Sequence, residues 1–461
     1  MSESSTVDWL ADRLRIEIAG LAPGDRLPTS RELVRRLGVS PVSVSRAVAL
    51  LAAEGAVVTR PGTGTFVAPR RAAPVRGDTS WQTVVLPSRP ADPLTATDLL
   101  SAPPDGTITM AGGYLHPSLQ PTRALSAALT RAARRPDAWD RAPSSGLAPL
   151  RTLFARMAGG DLGPEDVLIT GGGQGALAMA FRALAVPFSP VLVESPTYQG
   201  ALAAARAAGL TPVPVPLDAD GIRPDLLAEA LRTTGARLIY LQPGCHNPTG
   251  AVLSPERRRQ VMELARASRA FVIEDDYARH LGHGTPPPPP LVADDPDGTV
   301  VYLTSLTKPT APSLRVGALI ARGPALARLR ATRLVDDFFL ARPLQEAALD
   351  LLSNPAWDRH RRTLAAALKD RCATLATALA RETPQWTVRA PVSGLHLWLR
   401  LDTEETGIVR AARAQGVTVV SGRGHFPAEP PAPHLRLSFA AAADLAELTE
   451  AARVLGRVAQ D

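Results

Sequence analysis

Six short apolar runs constrain this chain more than any other feature: Val167–Thr170, Pro190–Glu194, Leu238–Leu241, Ala270–Glu274, Val300–Leu303 and Val316–Ile320. Each is apolar at consecutive positions, ends in a polar loop, and is separated from the next by a helical stretch. A strand apolar on both faces must be covered on both faces, so the pattern predicts a largely parallel α/β sheet between helices. Ligands on such sheets bind at the carboxyl ends of the strands. After Ala341 a long helical stretch leads to a smaller α+β portion, roughly 345–461. Its strands are expected near Trp398, over Val417–Val420 and over Leu435–Phe439.

Chemistry-bearing residues follow the runs in order. Ile169-Thr-Gly-Gly-Gly-Gln-Gly175 is a strand, a glycine turn and a helix start, and bare N–H groups there cradle anions. Glu194-Ser-Pro-Thr-Tyr198, His246-Asn-Pro-Thr-Gly250 and Glu274-Asp-Asp-Tyr277 follow three further strands. The last run leads to Ser305-Leu-Thr-Lys-Pro-Thr-Ala-Pro-Ser-Leu-Arg315. Among 51 basic residues only Lys308 and Lys369 are lysine. Arginine stays protonated, whereas a desolvated lysine can lose its proton and attack a carbonyl. Ser305 and Thr307 offer hydroxyls, and the planar fork of Arg315 suits a phosphate. An imine-forming lysine beside phosphate-binding groups points to a phosphorylated aldehyde, with pyridoxal 5'-phosphate (PLP) the candidate. His246, His283 and His425 lack metal-ligand spacing, so no metal is expected; Asp276 is read as supporting or solvated.

The first seventy residues have a different grammar. Val7–Ile18 reads as an amphipathic helix with Leu10, Leu14 and Ile18 on one stripe. Thr29-Ser-Arg-Glu32 is a capping box, and Gly38 stops the helix that follows. Ser40-Pro41 opens a third helix ending at Gly55. Two strands, 56–60 and 65–68, flank the Pro61-Gly-Thr-Gly64 turn. Three helices and a hairpin make a winged helix-turn-helix, whose third helix enters the DNA major groove.

Length implies two or three domains, read as 1–69, a Pro- and Arg-rich connector over 70–105, and 106–461. Two cysteines make no disulfide framework, and no signal peptide or membrane-length apolar run is present, so a cytoplasmic setting is expected. The net charge is +7, of which residues 1–70 carry 9 Arg against 7 Asp+Glu, or +2. Charge permits a polyanionic partner without demanding one.

These words carry a resemblance. Pro23-Gly-Asp-Arg-Leu-Pro28, Ser30-Arg-Glu-Leu33, Leu37-Gly-Val-Ser40, Leu51-Ala-Ala-Glu-Gly55 and Gly62-Thr-Gly-Thr-Phe-Val67 resemble the GntR-type DNA-binding domain. The strand-end motifs resemble the fold-type I aminotransferase domain across roughly 106–461. The whole chain looks like a MocR-subfamily GntR regulator. The resemblance implies DNA contacts at Arg31, Ser40, Ser43, Ser45, Arg60, Gly62, Thr63 and Gly64. It implies that Lys308 forms the Schiff base and Asp275 pairs with the pyridine nitrogen. Asn247 and Tyr277 would meet the ring oxygen, and Tyr198 would stack on the ring. Gly172, Gly173, Gln174, Ser305, Thr307 and Arg315 would hold the phosphate, and Arg436 a substrate carboxylate. A homodimer with exchanged heads is also implied. Pro41 stands where the family has a groove-facing arginine, Val48 follows Ala47 where a tyrosine is common, and Gly173 replaces a Ser/Thr. Ala142-Pro-Ser-Ser-Gly146 lacks a tyrosine that in the dimeric family reaches the neighbour's phosphate. Two functions remain open: a regulator of an operator, sensing PLP or an amino-acid-like amine, and a working aminotransferase with a retained winged helix.

Overall fold

In the computed structural model residues 3–69, 78–85 and 106–460 are described. They fall in two units, Met1–Ser88 and Arg89–Asp461. The expected connector lies outside the described residues, apart from 78–85 with the short helix Trp81–Val85.

The first unit is helices α1 (Glu3–Ala19), α2 (Ser30–Leu37) and α3 (Pro41–Ala53), then strands β1 (Val57–Arg60) and β2 (Gly64–Val67). The first helix begins before the expected Val7. Its apolar stripe, Leu10 and Leu14, closes a core with Leu33, Val44, Leu51, Val57 and Val67. The capping box forms as read: Glu32 N–H donates to Thr29 Oγ1, and Thr29 N–H to Glu32 Oε2 at 2.7 Å. Gly38 takes the left-handed conformation that ends α2 (φ 64°). Ser40 caps α3, accepting from Ser43 N–H at 3.0 Å, with Pro41 in the first turn. The antiparallel hairpin pairs Val57 with Val67 and Arg60 with Gly64.

The second unit is built on an eight-stranded sheet. Its strands are β4 (Val167–Thr170), β5 (Pro190–Ser195), β6 (Thr211–Asp218), β7 (Gly221–Ile222), β8 (Leu238–Leu241), β9 (Phe271–Asp276), β10 (Val300–Ser305) and β11 (Gly317–Ile320), in the order β4-β11-β10-β9-β8-β5-β6-β7. Only β11 and β7 run against the rest. Alternate residues of each strand feed separate cores. Leu168, Val193, Ile273 and Leu303 pack with the helix Gly173–Leu184. Val167, Ile169, Leu192 and Val272 pack on the other face with the helices Ala148–Ala158 and Pro255–Ala267. Burial on both faces is why these runs are uninterruptedly apolar.

The sequence patterns did not reveal β6. It carries Pro212, Pro214 and Pro216 at alternate positions and pairs in parallel with β5. Backbone N–H groups alternate across a strand, so all three missing donors lie on one side. The Pro216 carbonyl accepts from Arg223 N–H at 3.1 Å, on the side away from β5. The prolines therefore spare the β5 ladder and blunt the outer edge.

The smaller portion is an antiparallel sheet of β12 (Thr387–Arg389), β13 (His396–Arg400), β16 (His434–Ser438) and β15 (Val420–Ser421). The helices Pro355–Glu382 and Leu445–Val458 share its core. The strand β14 (Val417–Thr418) pairs instead with β3 (Ile108–Thr109). This pairing ties the start of the second unit to its end.

Candidate functional site

Lys308 lies in the turn after β10, and its Nζ donates to the Gly113 carbonyl at 2.7 Å. The same amine sits 4.0 Å over the Tyr114 ring centroid. Burial, then the charges of Arg436 and Arg315, push it down to about 7, against the opposing pull of Asp275. At neutral pH a large share of this amine is therefore unprotonated and nucleophilic. No direct Lys308–Asp275 hydrogen bond or ion pair occurs among the described residues.

Asp275, at the end of β9, is 6 % exposed. Its Oδ2 accepts from Tyr240 Oη at 2.6 Å and Gln242 Nε2 at 3.0 Å. Burial raises its carboxyl to about 6, and these two donors hold it below where burial alone would place it. Asn247 is buried next to the same network: its N–H donates to Gln242 Oε1 at 3.0 Å, and its Oδ1 faces Arg436 at 3.4 Å. Tyr277 Oη lies 3.8 Å from Cys245 Sγ. Tyr198 Oη donates to Gln174 Oε1 at 3.0 Å, and burial lifts the phenol to about 12.

Several of the phosphate candidates lie close together. Gly172 (φ 87°) precedes the helix that starts at Gly173, and a Cβ on it would lie 2.8 Å from the Arg315 guanidinium carbon. Arg315 itself adopts a left-handed backbone (φ 49°), unusual for a non-glycine residue. Its guanidinium has no hydrogen bond or ion pair among the described residues. Ser305 Oγ donates to Thr307 Oγ1 at 3.0 Å beside it. An unpaired cation, two hydroxyls and a free helix N-terminus form a cradle for a dianion.

Arg436, on β16, is 3 % exposed and finds no carboxylate among the described residues. It donates to the Ala111 carbonyl at 3.2 Å and leaves its Nε unpartnered. Burial lowers its guanidinium to about 10. A buried cation so poorly paired suits an incoming anion. The residues present therefore fit PLP and a carboxylate-bearing ligand, on the unpaired Arg315, the Gly172 cradle and the orphaned Arg436.

Sequence reading missed several participants. Gly113, Tyr114 and Ala111 reach the site from a segment nearly 200 residues before Lys308 (|i−j| of 195 for Gly113). Gln242 and Tyr240 stand behind Asp275 with no motif of their own. His396, beside Arg436 on the same sheet face, is 6 % exposed with both ring nitrogens unpartnered. Asp276 is not solvated: it is buried, takes Tyr302 Oη at 2.9 Å and pairs with Arg279.

On the first unit, Arg31, Ser40, Ser45, Arg60, Gly62 and Thr63 are exposed and Gly64 is half-buried. Gly64 (φ 129°) packs so closely that a Cβ would strike Arg26 Nε at 2.8 Å. Ser43 departs from expectation. It is 3 % exposed and its hydroxyl turns back to Ser40 Oγ at 2.9 Å, so it is a cap element and not a groove-facing residue.

A winged helix-turn-helix joined in one chain to an aminotransferase-type body defines a class of regulator in which an enzyme fold serves a DNA-binding head. Comparison with known proteins agrees. Residues 6–67 match the family of bacterial regulatory proteins, gntR family, and residues 111–455 match aminotransferase class I and II. The uncharacterized HTH-type transcriptional regulator YdcR of Escherichia coli is 30 % identical over 85 % of this chain and 85 % of its own. The probable rhizopine catabolism regulatory protein MocR of Rhizobium meliloti is 28 % identical over 88 % of this chain and 84 % of its own. The crystal structure of LysN, the alpha-aminoadipate aminotransferase of Thermus thermophilus, has a TM-score of 0.74. It is 28 % identical and covers 83 % of this chain and 98 % of that one. The chain belongs to the GntR-type transcriptional regulators of the MocR subfamily, with an aminotransferase class I and II body.

Proposed function

We propose that this regulator binds PLP through Lys308 and uses the loaded site to sense an amino-acid-like amine, changing how its winged helix holds operator DNA. The observation that carries the reading is the Lys308 amine, brought down to about 7 beside two arginines that lack carboxylate partners. PLP supplies a carbonyl for that amine and an electron-withdrawing ring. Everything else is protein work. Gly172, Gly173, Gln174, Ser305, Thr307 and Arg315 would hold the phosphate, Asp275 the ring nitrogen, Asn247 and Tyr277 the ring oxygen. Tyr198 would cover the ring. Arg436 would orient a ligand carboxylate, which favours amino acids over simple amines. A ligand shifts the head only to the extent that it binds two arrangements of the chain with different affinity. We assign the head to 1–69 and the body to 106–461. Arg31, Ser40, Ser45, Arg60 and the Gly62–Gly64 turn form its DNA face. A homodimer with exchanged heads and a cytoplasmic setting complete the reading; no single described helix is long and apolar enough to cross a membrane.

The alternative, a turning-over aminotransferase, draws support from the likeness to LysN and from a lysine amine able to carry protons at neutral pH. The test is spectral: PLP added to the protein produces the absorbance of a lysine-bound cofactor, which Lys308→Ala abolishes. Unaltered absorbance in Lys308→Ala overturns the reading. Conversion of amino acids to oxo acids by the loaded protein would favour the enzyme.

A further inference from the structure

We propose that Gln242 is the positioning residue that sets Asp275 and Asn247 in register for the cofactor ring and reserves one oxygen of Asp275 for it. The inference rests on the PLP reading above and names a residue outside the motifs that suggested it.

Gln242 is 1 % exposed and stands just after β8. Three hydrogen bonds radiate from it to three different segments. Its N–H donates to Glu194 Oε2 at 2.8 Å, which fixes it to the end of β5. Its Nε2 donates to Asp275 Oδ2 at 3.0 Å on β9. Its Oε1 accepts from Asn247 N–H at 3.0 Å, at the start of the Asn-Pro-Thr-Gly turn. The amide has one orientation only. Reversed, it would set oxygen against a carboxylate and NH₂ against an N–H, leaving buried groups unsatisfied.

Tyr240 lies two residues earlier on the same strand face and donates to the same Oδ2 at 2.6 Å. Both donors, Tyr240 on β8 and Gln242 just after it, thus crowd onto one oxygen. Oδ1 has no hydrogen bond among the described residues. A protonated ring nitrogen would meet Oδ1, with Oδ2 already committed. The same amide holds the backbone of Asn247, so the groups for ring nitrogen and ring oxygen are set by one side chain.

The arrangement also bears on charge. Asp275 is faced by Glu194 from β5, by Tyr240 from β8, by Asp276 beside it, and by Lys308, Tyr198 and Tyr277 from the loops. Burial and the neighbouring Asp276 favour its neutral form, while Tyr240, Gln242 and Lys308 favour the carboxylate. Removing the Gln242 donor therefore moves its ionisation to higher pH.

The experiment measures PLP dissociation constants by absorbance across pH for wild type, Gln242→Met, Gln242→Glu and Asp275→Asn, and for Gln242→Met combined with Asp275→Asn. Methionine keeps the length of the side chain; glutamate keeps its shape but sets a second carboxylate against Asp275. Thermal melting shows that each variant is folded. The expected result is PLP binding weakened about tenfold in Gln242→Met, the loss of a hydrogen bond to a charged group. The acid limb of its pH profile moves upward, and further in Gln242→Glu. In the Asp275→Asn background Gln242→Met leaves the limb where it is. An unshifted limb in both Gln242 single variants overturns the proposal. So does an equal shift with and without Asp275, which would mark a merely structural role. A wild-type protein that never takes up PLP would refute the cofactor reading itself, a separate outcome visible before any variant is made.

Discussion

Replacing Arg436 by methionine is expected to affect folding and recognition with different signs. The guanidinium falls from its ordinary, higher value to about 10 because it is buried. Its folded-state value lies below its unfolded one, so the charged form is penalised at every pH below about 10, neutral pH included. At about 1.4 kcal/mol for each tenfold change, the penalty is roughly 3 kcal/mol. Two hydrogen bonds, at 3.2 and 3.4 Å, offset it; at roughly 1 kcal/mol each they recover about 2 kcal/mol. Methionine removes the charge and both bonds, so the body should lose almost no stability, or gain about 1 kcal/mol. Recognition should suffer instead. Charge-assisted bonds to a carboxylate are worth about 1.5–3 kcal/mol each, so glycine should bind the PLP-loaded variant roughly ten- to a hundredfold more weakly. Methylamine, lacking the carboxylate, should bind as before. The assays are thermal melting and absorbance titration with both probes. A variant that melts far below wild type while keeping its preference for glycine would refute the reasoning and make Arg436 a structural cation.

Three further outcomes follow from the geometry. The rate at which Lys308 captures PLP should rise with pH through about 7, where burial and the neighbouring arginines release its proton, and not near the ordinary lysine value; a limb near 10.5 would contradict this. A Cβ at Gly173 meets only ordinary contacts, 3.6 Å to Leu303 and 3.7 Å to Ser305. Gly173→Ser should restore the missing hydroxyl and tighten PLP binding several-fold, about 1 kcal/mol, as read by a dissociation constant. Thr29→Ala removes half of the capping box on α2 and should cost about 1 kcal/mol of stability in the head, measured by denaturant unfolding; no loss would mean the cap is idle.

Much of the fold was legible because its signals are local. Each central strand announces itself as an apolar run, since both its faces are covered. The head shows its capping box, its Ser-Pro helix start and its glycine stops within a few residues of each boundary. The site was legible where chemistry follows a strand end, as at Asp275, Asn247 and Lys308. What escaped reading depends on the three-dimensional arrangement. The three prolines of β6 look like a loop until the neighbouring strand shows which edge lacks donors. The family resemblance implies a groove-facing role for Ser43, but the turn of α3 carries it inward to Ser40. Tyr114 and the Ala111 and Gly113 carbonyls reach Arg436 and Lys308 across hundreds of residues, and nothing in their own neighbourhood marks them. Gln242 is an ordinary residue in sequence, and its importance lies in what β5, β9 and the Asn247 turn bring to it.

The central claim is that the loaded body controls the head. It is tested most directly by fluorescence anisotropy on DNA from upstream of the protein's own gene, near physiological salt, with a scrambled duplex as control. Binding should be tighter to the upstream duplex than to the scrambled one, should change when PLP is added, and should lose that response in Lys308→Ala. Equal affinity for both duplexes would mean that the α3 face, with Pro41 in its first turn, reads no sequence. Specific binding indifferent to PLP would contradict the coupling itself.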